Sequence, residues 1–181
     1  MSAASSGAAG GDREARFDAV LALYGPALRR VASAYEREPA RAEDLFQDIA
    51  LALWEALPRF RGESSERTFV YRVAHNRGVS HALRHRTLRA GDGAGLDEAV
   101  ELADPEPSPE DRASASQRAA RLREAVPLLP MPLRQVLMLL LEGLTPREIG
   151  EVLGLTENNV NVRLSRARGA LRRSLREGGA A

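Results

Sequence analysis

Residues 90–111, AGDGAGLDEAVELADPEPSPED, constrain what this chain can fold into more than any other stretch. They hold three prolines, three glycines and eight carboxylates, with no basic residue among them. Proline and glycine interrupt helices and strands, and like charges along a chain repel one another. The stretch therefore reads as a flexible acidic linker, reaching residue 112. It divides the 181 residues into two small modules, 12–89 and 113–177. Short tails remain at 1–11 and 178–181. The first tail is mostly Gly, Ala and Ser without pattern, and reads as disordered.

Each module must bury a core of its own. Aromatic residues are only 4% of the chain, so the cores fall to Leu, Val and Ala, a palette that favours helices over sheets. The expectation is an all-α chain: two small helical domains joined by a flexible acidic linker. Cysteine is absent, which excludes disulfides and thiolate metal sites. The N-terminal stretch lacks the basic start and apolar run of a signal peptide. No apolar run is long enough for a spanning helix. These features predict a cytoplasmic chain with no membrane insertion. Net charge is only +1, yet all 26 basic residues are Arg. Arg matches phosphates and guanine edges better than Lys. The coding bias of a GC-rich genome, consistent with the abundant Ala, explains most of the same skew.

In the first module, Phe17, Val20, Leu21, Tyr24, Leu28, Val31 and Tyr35 recur at helical spacing. Gly25-Pro26 should kink or split that helix. Pro39 suits the first turn of a second helix, ARAEDLFQDIALALWEAL, which Pro58 and Gly62 end. A third helix is expected over SERTFVYRVAHNRGVSHALRHRTLR. On the second helix Leu45, Phe46, Ile49 and Leu53 make an inward stripe. Asp44, Gln47, Asp48 and Leu51 share the opposite face, an odd place for a leucine, although a single exposed leucine is usually without consequence.

The second module should open with a helix from about Ala113 to Val126, interrupted by Pro127 and Pro130. Pro132 opens the next helix, LRQVLMLLLEG, closed by Gly143. Thr145-Pro146-Arg147-Glu148 then has the form of a capping box with proline at the first helical position. Gly154 ends that helix and Thr156 can cap another. Two short helices about a tight turn make a helix-turn-helix. On the last helix Val160, Leu164, Ala167, Leu171 and Leu175 form the core stripe. Asn158, Asn161, Val162, Ser165 and Arg166 face the other way. Asn can pair with adenine and Arg with guanine; Val or Ser can meet a thymine methyl or a base edge. Arg163, Arg168, Arg172, Arg173 and Arg176 lie on the flanks or further along, where phosphates are the expected partners.

Enzymatic chemistry has little support. His81 and His85 are four apart on one helix, a spacing that can bind metal. The residues between are Ala-Leu-Arg, so the Glu of H-E-x-x-H is missing and Arg84 would repel a cation. No phosphate loop, nucleophile elbow or carboxylate cluster is visible. No catalytic residue, metal site or cofactor is expected. A self-sufficient repressor usually dimerises on two half-sites, and no dimerisation heptad or ligand domain is visible. The helix-turn-helix alone leaves that reading beside a subunit of a larger transcription machine.

The order ALRRVASAY, AEDLFQDIALALWEAL, FRGES and FVYRVAHN, followed by LPMPLRQVLMLLLEGLTPREIGEVLGLTENNVNVRLSRAR, resembles bacterial RNA polymerase sigma factors. Within them it is similar to the extracytoplasmic-function (ECF) group. The resemblance covers residues 17–89 and about 118–173. It implies a non-catalytic subunit that binds core RNA polymerase at the β′ clamp helices and β flap. It further implies promoter DNA as ligand, help in opening the duplex, and an anti-sigma factor holding the free protein inactive. Asp44, Gln47 and Asp48 match the family's polymerase-docking motif, and Leu51 shares their face. The loop 61–67, beginning at Arg61, would form the pocket for a flipped base of the −10 element. Asn76 and Ser80 would contact bases there, and Arg72, Arg77, Arg84, Arg86 and Arg89 would grip phosphates. Phe69 and Tyr71 offer stacking faces, although Phe69 reads first as core. Asn161, Val162, Ser165 and Arg166, with Asn158 and Arg163, would read the −35 element. The acidic linker would thread near the polymerase's active-site channel and RNA exit path, although its composition is equally that of an ordinary tether.

The chain departs from the family pattern at five places. Phe69 stands where Trp is usual, Glu66 where an aromatic is usual, and Ser80 where Asp or Asn is common. Asn161 replaces a common Lys or Arg, and Pro127 breaks a helix that usually runs on to Leu129-Pro130. These changes bear on promoter preference and on the flipped-base pocket, not on the fold.

Overall fold

The computed structural model describes residues 5–88 and 125–177. The expected linker, Arg89, the last tail and all but the end of the helix expected from Ala113 lie outside these residues. So do the side chains of His85, Arg86, Leu175 and Arg176. Within the described residues every regular element is helical. The first domain contains α1 (Ser5–Tyr35), α2 (Pro39–Ala56) and α3 (Glu66–Leu88), and a 3-10 turn over Leu57–Arg59 follows α2 directly. The second contains a 3-10 turn over Val126–Leu128, then α4 (Met131–Leu141), α5 (Pro146–Leu153) and α6 (Glu157–Glu177).

In the first domain each helix packs on both others. Leu28 of α1, Leu45, Ile49 and Leu53 of α2, Leu57 of the turn and Val70 of α3 are all completely or almost completely buried. Burying one such side chain contributes about 1.5–3 kcal/mol relative to leaving it in water. The helix ends are set locally. Pro39 occupies the first turn of α2, where its missing N–H costs nothing. The Ser65 hydroxyl accepts the Thr68 N–H at 3.0 Å, which caps α3. The Gly78 backbone of α3 approaches the Tyr35 ring so closely that an added Cβ would lie 2.6 Å from it.

One expectation needs correction and another is narrowed. Helix α1 starts at Ser5, inside the stretch 1–11 expected to be a disordered tail. Packing of the following turns supplies the costly helix nucleus, and extending it toward the N-terminus needs no new one. Of the two outcomes expected at Gly25-Pro26, a kink or a split, the split does not occur, because the same helix continues through Pro26. Proline removes one backbone hydrogen bond there, while Leu28 and Val31 just beyond it are anchored in the core.

The second domain centres on Ala125, Leu129, Leu137, Ala167 and Leu171, where α4 packs on α6. The capping box before α5 forms as expected. Glu148 Oε2 accepts the Thr145 N–H at 2.8 Å, and Thr145 Oγ1 accepts the Glu148 N–H at 3.3 Å. Gly154 has φ +68°, a left-handed conformation that ends α5 at little cost only for glycine. The Thr156 hydroxyl accepts the Asn159 N–H at 3.3 Å and caps α6. Between the two helices the chain turns so tightly that a Cβ on Gly150 would sit 2.6 Å from the Leu155 carbonyl oxygen.

Candidate functional site

The outward face of α2 is built by its inward one. With Leu45, Phe46, Ile49 and Leu53 buried, helical periodicity places Asp44, Gln47, Asp48 and Leu51 in solvent, and Leu51 is 57% exposed. Arg29 of α1 locks the helix from the side. Its guanidinium pairs with Glu43 at 3.0 Å and lies 3.8 Å from the centre of the Phe46 ring. Asp48 is not isolated, because Arg84 of α3 donates to its carboxylate at 3.3 Å. The expected docking face and the expected phosphate-gripping helix therefore touch.

Beyond α2 the chain builds a cleft. Leu57 is buried and pins the 3-10 turn, and the Phe60 N–H returns to the Leu57 carbonyl at 3.2 Å. The Phe60 and Phe69 rings lie 4.6 Å apart, tilted by 35°. Arg16 of α1 reaches over the Phe60 ring at 5.6 Å and pairs with Glu66 at 3.7 Å. The resulting cleft has a volume of about 640 Å³ and is lined by Arg59, Phe60, Arg61, Glu63, Ser64, Phe69, Arg72 and Asn76, with Pro58 and Val73. That volume lies in the ligand-sized range of roughly 300–1,000 Å³. Arg72 carries a buried Nε with no hydrogen-bond partner. A second groove, about 340 Å³, runs between α2 and α3 past Glu55, Arg59, Asn76, Arg77 and Ser80.

The structure thus gathers Arg61, Arg72 and Asn76 at the first cleft and Asn76, Arg77 and Ser80 at the second. Arg84 lines neither. Of the loop expected as a base pocket, Arg61, Glu63 and Ser64 line the cleft, whereas Glu66 and Arg67 already belong to α3 and do not. Phe69 is half-buried and faces the cleft, so the core reading describes it only in part. Tyr71 is fully core, in edge contact with Tyr24 at 6.3 Å. Arg59 and Phe60 were missed by sequence reasoning. The available signal was their place between a helix-ending proline and the Arg61-Gly62 turn.

Two histidines of α3 face the end of α1. His75 Nδ1 and the Tyr35 hydroxyl are hydrogen-bonded, and burial pulls the His75 imidazole below its ordinary pKa of 6.5. His81 Nε2 lies 3.3 Å from Glu36. Burial alone would raise the Glu36 carboxyl. The backbone N–H of Glu38, His81 and the backbone N–H of Arg37 outweigh it, and hold the group below its ordinary 4.5. Burial, followed by the nearby Glu66 charge, raises the Tyr24 phenol. His81 is thus engaged in the core beside Glu36. Among the described residues no group of three or more acidic or imidazole side chains could hold a metal ion. No helix among them is long and apolar enough to cross a membrane.

In the second domain α6 buries Val160, Leu164, Ala167 and Leu171. Asn158, Asn161, Val162, Ser165 and Arg166 are exposed on its outer side, and Arg163 is half-buried beside them. The capped turn before the helix presents these residues at its N-terminal half, the part that enters a major groove in helix-turn-helix proteins.

Comparison with known proteins divides the chain at the same places. Residues 20–87 match the family model Sigma-70 region 2, and residues 119–171 match Sigma-70, region 4. The chain is 34% identical over 172 residues to the ECF RNA polymerase sigma factor ShbA of Streptomyces griseus, covering 90% of this chain and 88% of that one. It is 32% identical over 148 residues to the probable RNA polymerase sigma factor RfaY of Xanthomonas campestris. That match covers 80% of this chain but only 36% of the longer relative. Among solved structures, the sigma factor RpoE of Bartonella quintana, determined in complex with the anti-sigma factor NepR, shares the fold. Its TM-score is 0.67 at 24% identity, over 89% of this chain and 97% of that one.

Proposed function

This chain belongs to the ECF-type RNA polymerase sigma factors, with region 2 and region 4 domains, and from that premise we propose which surfaces do its work. As a member of that family it is a non-catalytic factor that initiates transcription with RNA polymerase. The outer face of α2, through Asp44, Gln47, Asp48 and Leu51, docks on the β′ clamp helices of the core enzyme. The cleft behind Phe60 and Phe69 takes a base flipped out of the −10 element. Asn76 and Ser80 meet neighbouring bases, and Arg61, Arg72, Arg77 and Arg84 meet phosphates. The outer face of α6 reads the −35 element with Asn158, Asn161, Val162, Arg163, Ser165 and Arg166, while its domain leans on the β flap. The domain limits follow the sequence reading, 12–89 and 113–177 about an acidic tether, with the first now extended to Ser5.

The observation that carries this reading is the adjacency of an exposed apolar-acidic helix face to a cationic cleft with aromatic walls. Docking and strand capture need these two surfaces on one rigid unit. A cytoplasmic location follows from the work proposed, because polymerase and chromosome are there. An anti-sigma factor that covers the α2 face would shield Leu51 from water, and the complexed state of the Bartonella relative supports that partner class here.

The test is co-elution of the full chain with bacterial core polymerase, then run-off transcription on genomic fragments. Co-elution with promoter-dependent transcripts is expected. Asp48→Arg should abolish co-elution while the circular dichroism spectrum stays unchanged. Equal affinity of wild type and variant for core polymerase removes the α2 assignment. A dimer that binds promoter duplex tightly without polymerase would restore the repressor reading.

A further inference from the structure

The two clefts of the first domain meet, and only Arg59, Val73 and Asn76 line both. Val73 is apolar and Asn76 is neutral, so Arg59 is the one charge at the seam. Its position is built in. Leu57 anchors the 3-10 turn in the core, Pro58 stands in its first positions and fixes one backbone angle, and Phe60 closes it with an N–H bond to Leu57. The Arg59 side chain is exposed and makes no hydrogen bond or ion pair with any described residue. That is unlike Arg16, Arg29 and Arg84, each of which has a carboxylate partner.

Charge around the seam is unbalanced. The first cleft has Arg59, Arg61 and Arg72 against Glu63 alone, and the second adds Arg77 against Glu55. Guanidiniums gathered at a concave surface focus a positive potential that a bound anion relieves. If an unstacked base occupies the first cleft and its neighbours lie along α3, the sugar-phosphate link between them must cross the seam.

We propose that Arg59 holds that crossing phosphate, and so fixes the register of the single strand between the base-capturing cleft and the groove beside α3. The inference rests on the reading of the cleft as the −10 site. A guanidinium suits the role because its planar fork meets two phosphate oxygens at once. The contact carries no sequence information itself, since phosphate contacts position rather than specify.

The experiment uses holoenzyme reconstituted from the full chain and core polymerase. The probe is a promoter fragment mapped by run-off transcription, prepared as intact duplex and with a mismatched bubble over the −10 element. Affinity is measured across a salt series. One phosphate contact to single-stranded DNA contributes about 0.7 to the slope of log affinity against log salt. Arg59→Gln should lower the slope on the bubble fragment by about that amount and weaken binding by about threefold. Arg59→Lys should regain the slope, and base preference within the element should not change. An unchanged slope and affinity for Arg59→Gln overturns the proposal. An equal slope loss on the intact fragment held closed at low temperature also overturns it, because the contact would then be to duplex. If wild-type holoenzyme shows no preference for the bubble, the reading of the cleft itself fails and this inference falls with it.

Discussion

Helices α3 and α6 are of similar length, 23 and 21 residues, and both are proposed to meet DNA, yet they are built in opposite ways. Helix α6 is one-sided. Val160, Leu164, Ala167 and Leu171 go into the core, and the outer side is a convex row of exposed residues, polar except for Val162. Helix α3 is hemmed in by α1 and α2. Its polar side chains sit in clefts or are tied to neighbours: His75 to Tyr35, His81 to Glu36, and Arg84 to Asp48. The difference suits the two proposed tasks. A duplex is read by a rod entering its major groove, so the reading face must be convex and free. An unstacked base needs walls on several sides, and only neighbouring helices supply them.

The comparison breaks most visibly if the second domain loses its core. Leu164→Ala removes a buried side chain at the centre of α6 and should cost about 2–5 kcal/mol. Calorimetry should show a lower-melting second domain, while co-elution with core polymerase persists through α2. Loss of co-elution would show that the two domains do not act independently. A smaller effect tests the convex face itself. Arg166→Ala should cost roughly 1–3 kcal/mol in holoenzyme binding and relax discrimination at one −35 position. A uniform loss across all promoter sequences would instead make Arg166 a phosphate contact.

The same contrast decides how much could be read from sequence. Helix α6 was legible because its signals are local: the Thr145 and Thr156 caps, Gly154, and a stripe at helical spacing all lie within one short segment. The exposed face of α2 was legible for the same reason. The cleft was not. Its walls come from the turn after α2, the loop before α3 and α3 itself, and no periodicity joins Arg59 and Phe60 to Arg72 and Asn76. The family resemblance pointed to the loop 61–67, of which Arg61, Glu63 and Ser64 line the cleft, while Glu66 starts α3 and pairs with Arg16. The histidine contacts were hidden too, because Tyr35 and His75 are 40 residues apart. The early start of α1 was missed because Gly, Ala and Ser have no face to read; packing further along decides it.

His75 offers a test of the hemmed-in helix that is read by its sign. Its folded-state pKa is held below the ordinary 6.5 by burial, so near that pH the unfolded chain binds more protons than the folded one. Its contribution is complete above about 6.5 and is lost as pH falls through the depressed folded value. Thermal unfolding should therefore show the first domain less stable at mildly acidic pH than at neutrality. His75→Gln should flatten that dependence. A variant as pH-sensitive as wild type would mean that His75 is not the responsible group.

The smallest effect probes the place where the proposed docking face and the proposed strand-binding helix touch. Arg84 and Asp48 are 3.3 Å apart, with side chains 62% and 49% exposed. Water screens such a pair, and exposed pairs contribute only about 0.2–1 kcal/mol. A double-mutant cycle with Asp48→Asn and Arg84→Gln, measured by urea unfolding of the free chain, should return a coupling in that range. If Asp48 turns to polymerase on docking, Arg84 is released toward DNA phosphates. The cycle repeated on affinity for core polymerase should then show Arg84→Gln strengthening docking slightly in the wild-type background and having no effect beside Asp48→Asn. An Arg84→Gln effect of the same size in both backgrounds would mean that the pair does not compete with polymerase, and that the two working surfaces of the first domain touch without being coupled.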